Sequence, residues 1–271
     1  MKIALGQISA TKDVAKNLEQ VREYTAQAKD QGASFIVFPE ATMIAFGGRL
    51  HDEVVQAQEQ WNREIQEIAR EHDITILAGA FAPEENTDPE KPRVINQLVV
   101  VKPEGIETAY HKIHLYDALG FNETDGVVAG NDLKTTDIDG VRVGLTLCYD
   151  VRFPKLYAEL SRAGAQIIVV PASWAPGDFK VNQWQMLTGA RALDSNTFVV
   201  AVDQANPKAV DPNADDDGPF GVGYSRVISP FGKIIAELGE GEELAVVELD
   251  LDLVNQARES LPVLKNAKLG Y

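Results

Sequence analysis

"LTLCYDVRFP", residues 145–154, closes an apolar run that starts at Val141 and carries the only cysteine of the chain, Cys148. The run "VRVGLTLC" (141–148) reads as a strand, and a helical pattern follows over 155–163. The stretch is therefore a switch from strand to helix with a thiol at the junction. Free cysteines are among the most buried residue types, and most behave as small hydrophobes. A cysteine at a strand end can equally be placed to react, and its surroundings must decide.

Working outward, the same alternation repeats. Downstream, "QIIVVPAS" (166–173) precedes a helix over 181–194, and "TFVVAVDQ" (197–204) follows it. Upstream, "KIALGQI" (2–8) is a strand. Val14 to Ala28 then carries an apolar stripe at Leu18, Val21, Thr25 and Ala28, the spacing of an amphipathic helix. "FIVF" (35–38) is short and wholly apolar, as in a strand covered on both faces. Ala57, Trp61, Ile65 and Ile68 share one face of a second helix, and "ITILAGA" (74–80) returns to strand. "INQLVVV" (95–101) and "GIETAYH" (105–111), joined by "KPEG", form a hairpin pattern. Three further strands, "YSRVISP", "KIIAELG" and "LAVVELD", are separated by short turns. With no linker or repeat, the pattern gives one α/β domain over residues 1–271 with a mixed sheet.

The 271 residues carry a formal net charge of −16 with 45% hydrophobic residues. The acidic excess argues against nucleic acid or an anionic membrane surface as partner, because Lys and Arg drive phosphate binding. A single cysteine cannot form an internal disulfide. The N-terminal apolar run is too short for a signal peptide, and no stretch approaches the length of a membrane span. The expectation is a cytoplasmic protein; the acidic balance says little about a small substrate.

Two other polar residues sit where Cys148 sits. Glu40 follows "FIVFP" and Lys112 follows "GIETAYH". In open α/β sheets ligands gather at the carboxyl ends of strands, where loops converge. Taken singly, the glutamate caps a segment, the lysine is a solvated charge and the cysteine is inert. Taken together, they suit one chemistry. A thiolate attacks a carbonyl or nitrile carbon, and a carboxylate moves the thiol proton to the leaving amine. A lysine steadies the oxyanion and helps lower the thiol pKa. The backbone N–H of Tyr149, just past the thiol, is a second oxyanion donor. No cofactor is needed.

"FPE" (38–40), "HKIHLYD" (111–117) and "CYDVRFP" (148–154) resemble the signatures of the nitrilase superfamily of carbon–nitrogen hydrolases. The resemblance continues through "GQI" (6–8), "QIIVVPASW" (166–174), "QWQMLTGARALDSNTFVVAVDQ" (183–204) and "GYSRVISPFGKIIAELG" (223–239), covering nearly the whole chain in the family's order. It implies a four-layer α-β-β-α sandwich that packs as a homodimer or a larger homo-oligomer. It also implies a triad of Glu40 as base, Lys112 as stabiliser and Cys148 as nucleophile. Glu123, in "GFNETD", matches a second active-site glutamate that would orient Lys112 and the substrate amine. Arg152, four residues past the cysteine, resembles a substrate-carboxylate anchor of N-carbamoyl amino-acid hydrolases; a structural ion pair with Asp150 or a neighbouring acid is the other reading. The chain departs from the pattern at Asp194–Ser195–Asn196 and in the acidic stretch 211–221.

The implied activity is hydrolysis of a small amide with release of ammonia through a cysteine thioester, a carboxylate-bearing amide being favoured. An N-carbamoyl amine or a nitrile is the alternative substrate, and a non-catalytic scaffold the alternative class. His111 and His114 flank Lys112 but lack the further ligands of a zinc site. The aspartates of 211–221 lack the order of a calcium loop. "GVGYS" (221–225) reads as a tight turn, and Trp61 and Trp184 as core. Trp174, just past a strand end, is a candidate substrate contact.

Overall fold

The computed structural model describes residues 1–214 and 221–268. The first half of the chain alternates strand and helix: β1 (Lys2–Gln7), α1 (Val14–Asp30), β2 (Phe35–Val37), α2 (Leu50–His72), β3 (Thr75–Pro83), β4 (Val94–Lys102) and β5 (Gly105–His111). Three short strands follow, β6 (Asp117–Ala118), β7 (Phe121–Asn122) and β8 (Val127–Val128), then β9 (Thr135–Ile138) and β10 (Val141–Leu145). The second half runs α3 (Pro154–Arg162), β11 (Ile167–Ala172), α4 (Lys180–Ser195), β12 (Phe198–Asp203), α5 (Pro207–Val210), β13 (Arg226–Ile228), β14 (Ile234–Glu237), β15 (Glu243–Glu248), α6 (Asp252–Ser260) and α7 (Val263–Asn266). Most of the acidic stretch, residues 215–220, lies outside the described residues.

The strands form two main sheets, not the one mixed sheet that the pattern suggests. One has the order β15-β1-β2-β3-β4-β5, with β8 alongside β4; the other has the order β14-β13-β12-β11-β10-β9. Each places three parallel strands beside antiparallel ones: β1, β2 and β3 in the first, β10, β11 and β12 in the second. Of the three C-terminal strands, β13 and β14 stay in the second sheet. β15 crosses to pair antiparallel with β1, Lys2 opposite Glu248.

Strand alternation builds the layers. Successive side chains point to opposite faces. Ile3 and Leu5, Phe35 and Val37, and Leu98 and Val100 point inward and meet Val143 and Leu145, Ile167 and Val169, and Phe198 and Val200 of the other sheet. The residues between them point outward. Ala4, Ile36 and Ile76 pack under α1 and α2 with Leu18, Val21, Trp61, Ile65 and Ile68. Ile168, Val170, Val199 and Ala201 pack under α3 and α4 with Leu156, Leu160 and Trp184. This is the α-β-β-α sandwich, and it explains why the central strands are apolar on both faces. Each fully buried aliphatic side chain stabilises the fold by about 1.5–3 kcal/mol relative to exposure. Local signals agree: Asp13 caps α1 by accepting from Ala15 and Lys16 N–H, and Pro154 starts α3, where its missing N–H costs nothing. Among the described residues no helix is long and apolar enough to cross a membrane.

Candidate active site

Three strand ends converge on a cavity of about 310 Å³. Glu40 stands three residues past β2, in a turn continued by Ala41, whose φ of 59° is left-handed. That turn lies on Gly79 of β3: a Cβ there would come within 2.5 Å of the Glu40 Cα and the Pro39 oxygen. Glycine, unfavourable inside a strand, is required by this close approach. The Glu40 carbonyl accepts from Gln204 Nε2 (2.8 Å), at the end of β12, so the second sheet also holds the turn.

Lys112 directly follows β5. Its N–H donates to the Asn96 carbonyl (2.9 Å), continuing the pairing with β4. Its Nζ donates to Glu40 Oε1 (2.9 Å) and to both Glu123 oxygens (3.0 and 2.9 Å). Glu123 lies in a 3-10 turn (Glu123–Asp125), and its Oε2 also accepts from Tyr116 N–H (2.6 Å). Asn96 Nδ2 donates to Glu40 (2.8 Å) and Glu123 (3.1 Å). Lys112, Glu40 and Glu123 are 2%, 1% and 3% exposed, so this ion cluster is almost fully buried at the wall of the cavity. Burial works against the Lys112 charge, but Glu123 and then Glu40 outweigh it and hold the ammonium well above its ordinary pKa.

Cys148 is not the last residue of its strand. β10 ends at Leu145; Thr146 Oγ1 donates to the Val169 carbonyl (2.7 Å), and Cys148 opens a 3-10 turn (Cys148–Arg152). Its φ of 41° is left-handed, a strained conformation for a residue with a side chain. Asp150, fully buried, holds the turn by accepting from Leu147 N–H (2.9 Å), His114 N–H (3.1 Å) and the Tyr110 hydroxyl (2.7 Å). His114 Nδ1 lies 2.7 Å from the same carboxylate. The thiol is 3.9 Å from the Ser173 carbonyl oxygen. Burial, and next the charge of Glu40, push its pKa well above the ordinary range; Lys112 pulls it down without reversing this. The lysine acts in the expected direction, but burial and Glu40 outweigh it and favour the neutral thiol.

Ser173, just past β11, donates its N–H to Glu40 Oε2 (3.0 Å). Trp174 lines the cavity, as do Glu40, Lys112, Glu123, Cys148 and Tyr149. Asp203 accepts from Trp174 N–H (2.8 Å) and so ties that loop to β12. The Tyr149 ring packs edge-on against Tyr116 (5.1 Å) and Phe153 (5.4 Å). Its N–H lies in the first turn of a 3-10 segment, where such groups have no acceptor within the helix.

Arg152 is one of the two expected substrate contacts, with Trp174. It does not pair with Asp150: its Nη2 donates to Gln183 Oε1 (2.6 Å), and its guanidinium lies over Trp174 (5.1 Å) and Tyr149 (5.8 Å). It is not among the described residues that line the cavity. A different cation is. Lys180, at the start of α4, lines the cavity with its Nζ over Trp174 (4.3 Å) and Tyr116 (5.5 Å). Sequence reasoning missed Lys180, Asn96 and Asp203. Asn96 did carry a signal, as a polar residue inside the apolar strand "VINQLVVV".

Comparison with known proteins agrees with this architecture. The carbon–nitrogen hydrolase family model matches residues 2–259. A hydrolase of Mycobacterium tuberculosis is 43% identical over 271 residues, covering 98% of this chain and 95% of the relative. Deaminated glutathione amidase of Escherichia coli O157:H7 is 33% identical over 271 residues, covering 100% and 98%. Among solved structures, a mutant of the amidase from Nesterenkonia sp. AN1, with acrylamide added at its active-site cysteine, superposes with a TM-score of 0.78 at 25% identity, covering 97% of this chain and 98% of that one. This chain belongs to the carbon–nitrogen hydrolase family of the nitrilase superfamily.

Proposed function

We propose that the protein hydrolyses the carbon–nitrogen bond of a small amide, preferably one bearing a carboxylate, and releases ammonia through a thioester on Cys148. The observation that carries this reading is the Cys148 thiol buried beside the Glu40 carboxylate, which is itself held by Lys112. The amidases among its relatives support the amide as substrate. A nucleophile that rests as a thiol needs a base at the moment of attack, and Glu40 is the base in reach.

Glu40 takes the thiol proton as sulfur bonds to the amide carbon. The carbonyl oxygen becomes an oxyanion facing Lys112 Nζ and the Tyr149 N–H. Two of the three Lys112 contacts go to one carboxylate, so one N–H can turn to the oxyanion without leaving Glu123. Glu40 then passes its proton to the leaving nitrogen, the carbon–nitrogen bond breaks, and ammonia departs. Water attacks the thioester while Glu40 removes its proton. The thiolate leaves, recovers that proton, and the acid product is released. Glu123 and Asn96 keep Lys112 and Glu40 in place, and Asp150 keeps the cysteine turn.

The same reading takes residues 1–271 as one catalytic domain working as a cytoplasmic homodimer, supported by the single cysteine and the family resemblance; light scattering tests the dimer. The activity is tested by ammonia release from dicarboxylate monoamides, neutral short amides, N-carbamoyl amino acids and nitriles. Mass spectrometry of the quenched enzyme should show an acyl adduct on Cys148. Ammonia from amides with the adduct is the expected result. Turnover without any adduct would remove Cys148 from its role, and ammonia only from nitriles or carbamoyl compounds would replace the substrate.

A further inference from the structure

Lys180 is an ammonium 6% exposed at the wall of the cavity, and the groups facing it are the rings of Trp174 and Tyr116. Among the described residues, no carboxylate lies within ion-pair distance of its Nζ. Its backbone is fixed: its carbonyl accepts from Trp174 Nε1 (2.9 Å), and its N–H donates to the Gly177 carbonyl (3.2 Å). A buried lysine is normally paired. The rings compensate part of the lost hydration, since a cation over an aromatic face gains about 0.5–2 kcal/mol. They leave its hydrogen-bonding capacity open. Burial and the nearby Arg152 disfavour its charge, and Cys148 and Asp203 offset them only in part. An anion entering the cavity would restore what the site lacks.

We propose that Lys180 receives the carboxylate of the substrate, and that it, rather than Arg152, is the residue that selects acidic amides. The inference rests on the amidase reading and adds the specificity residue to it. Arg152 is turned to Gln183 and contributes through Trp174, which lies between the two cations' contacts as a shared aromatic partner. The complementary negative group must reach Lys180 while the amide carbon sits at Cys148. That selects molecules with a carboxylate at one end and the amide at the other, both held within one cavity of about 310 Å³.

The experiment measures ammonia release from succinamate and glutaramate beside their neutral isosteres, 4-methylpentanamide and 5-methylhexanamide, in which an isopropyl group replaces the carboxylate. Wild type, Lys180→Met and Lys180→Arg are compared. The expected result is a wild-type kcat/KM at least tenfold higher for the better acid than for its isostere. Lys180→Met should collapse that ratio by about 10–100-fold, mainly through KM, and Lys180→Arg should restore most of it. A wild-type ratio near one overturns the proposal without any variant. So does an unchanged ratio in Lys180→Met, or an equal loss on both substrates, which would mark the lysine as structural. Ammonia from neutral amides alone would leave the amidase standing and remove Lys180 from carboxylate recognition. Ammonia from none of the four removes the amidase reading itself, and this proposal with it.

Discussion

Lys112 and Lys180 face the same cavity and are both buried, yet the protein answers their charges in opposite ways. Lys112 is enclosed by Glu40 and Glu123 at 2.9–3.0 Å, whereas Lys180 lies over two aromatic rings at 4.3 and 5.5 Å. Burial pushes both pKa values down; carboxylates reverse this at Lys112, and at Lys180 burial prevails. The difference separates chemistry from recognition. A cation whose counter-charge belongs to the protein is fixed in every stage of the reaction. A cation left with rings is completed by what enters.

The sharpest way to break this comparison is to remove the nucleophile both walls serve. Cys148→Ala should lower ammonia release at least about 10⁴-fold while the circular dichroism spectrum stays that of wild type. Residual turnover above one part in a hundred would take the chemistry away from this wall. Next in size, Lys112→Met leaves Glu40 and Glu123 buried without their cation. It should cost about 3–5 kcal/mol in urea unfolding and lower kcat about 10²–10³-fold. Lys180→Met should change stability by only about 1 kcal/mol, since ring contact is lost but a desolvated charge is relieved. Equal losses in the two methionine variants would erase the distinction.

Gly79→Ala tests how rigidly the Lys112 wall is held, because the new methyl group meets backbone of the Glu40 turn and not a movable side chain. The expected loss is about 1–3 kcal/mol, with kcat falling more than KM rises. A silent substitution would show that Glu40 does not depend on that packing. The smallest effect is a dependence on pH. The folded thiol titrates above the unfolded one. Below the unfolded value both states keep the proton, so stability is fully present. Above it the unfolded chain loses the proton first, and unfolding is favoured by up to about 1.4 kcal/mol per pH unit. Urea midpoints at pH 7 and pH 10 should therefore fall more for wild type than for Cys148→Ala. A parallel fall would mean the thiol is not held protonated.

Alternation of apolar strands with helical stripes was readable in the chain because both faces of the central strands are covered, and covering leaves a direct compositional mark. The convergence of Glu40, Lys112, Cys148 and Glu123 was readable through motif resemblance, each residue lying at or just past a strand end. The strand pattern runs three residues past the end of β10 to Cys148, since Thr146 and Leu147 are apolar or β-branched and look like strand until Asp150 turns the chain. Arg152 was read by its distance along the chain from the cysteine, which says nothing about the direction a long side chain takes. It goes to Gln183, 31 positions on.

The layer composition and the residue types that meet at the strand ends are legible in the chain, because those depend on local periodicity and on short stretches next to a strand. Three things emerge only from the folded chain: that β15 crosses from its neighbours in sequence to pair with β1, that Asn96 joins two carboxylates across 56 and 27 positions, and that Lys180 rather than Arg152 lines the cavity. Each depends on which distant segments are buried together, and the free energy of that choice lies in packing and charge pairing between segments, to which no local pattern is sensitive.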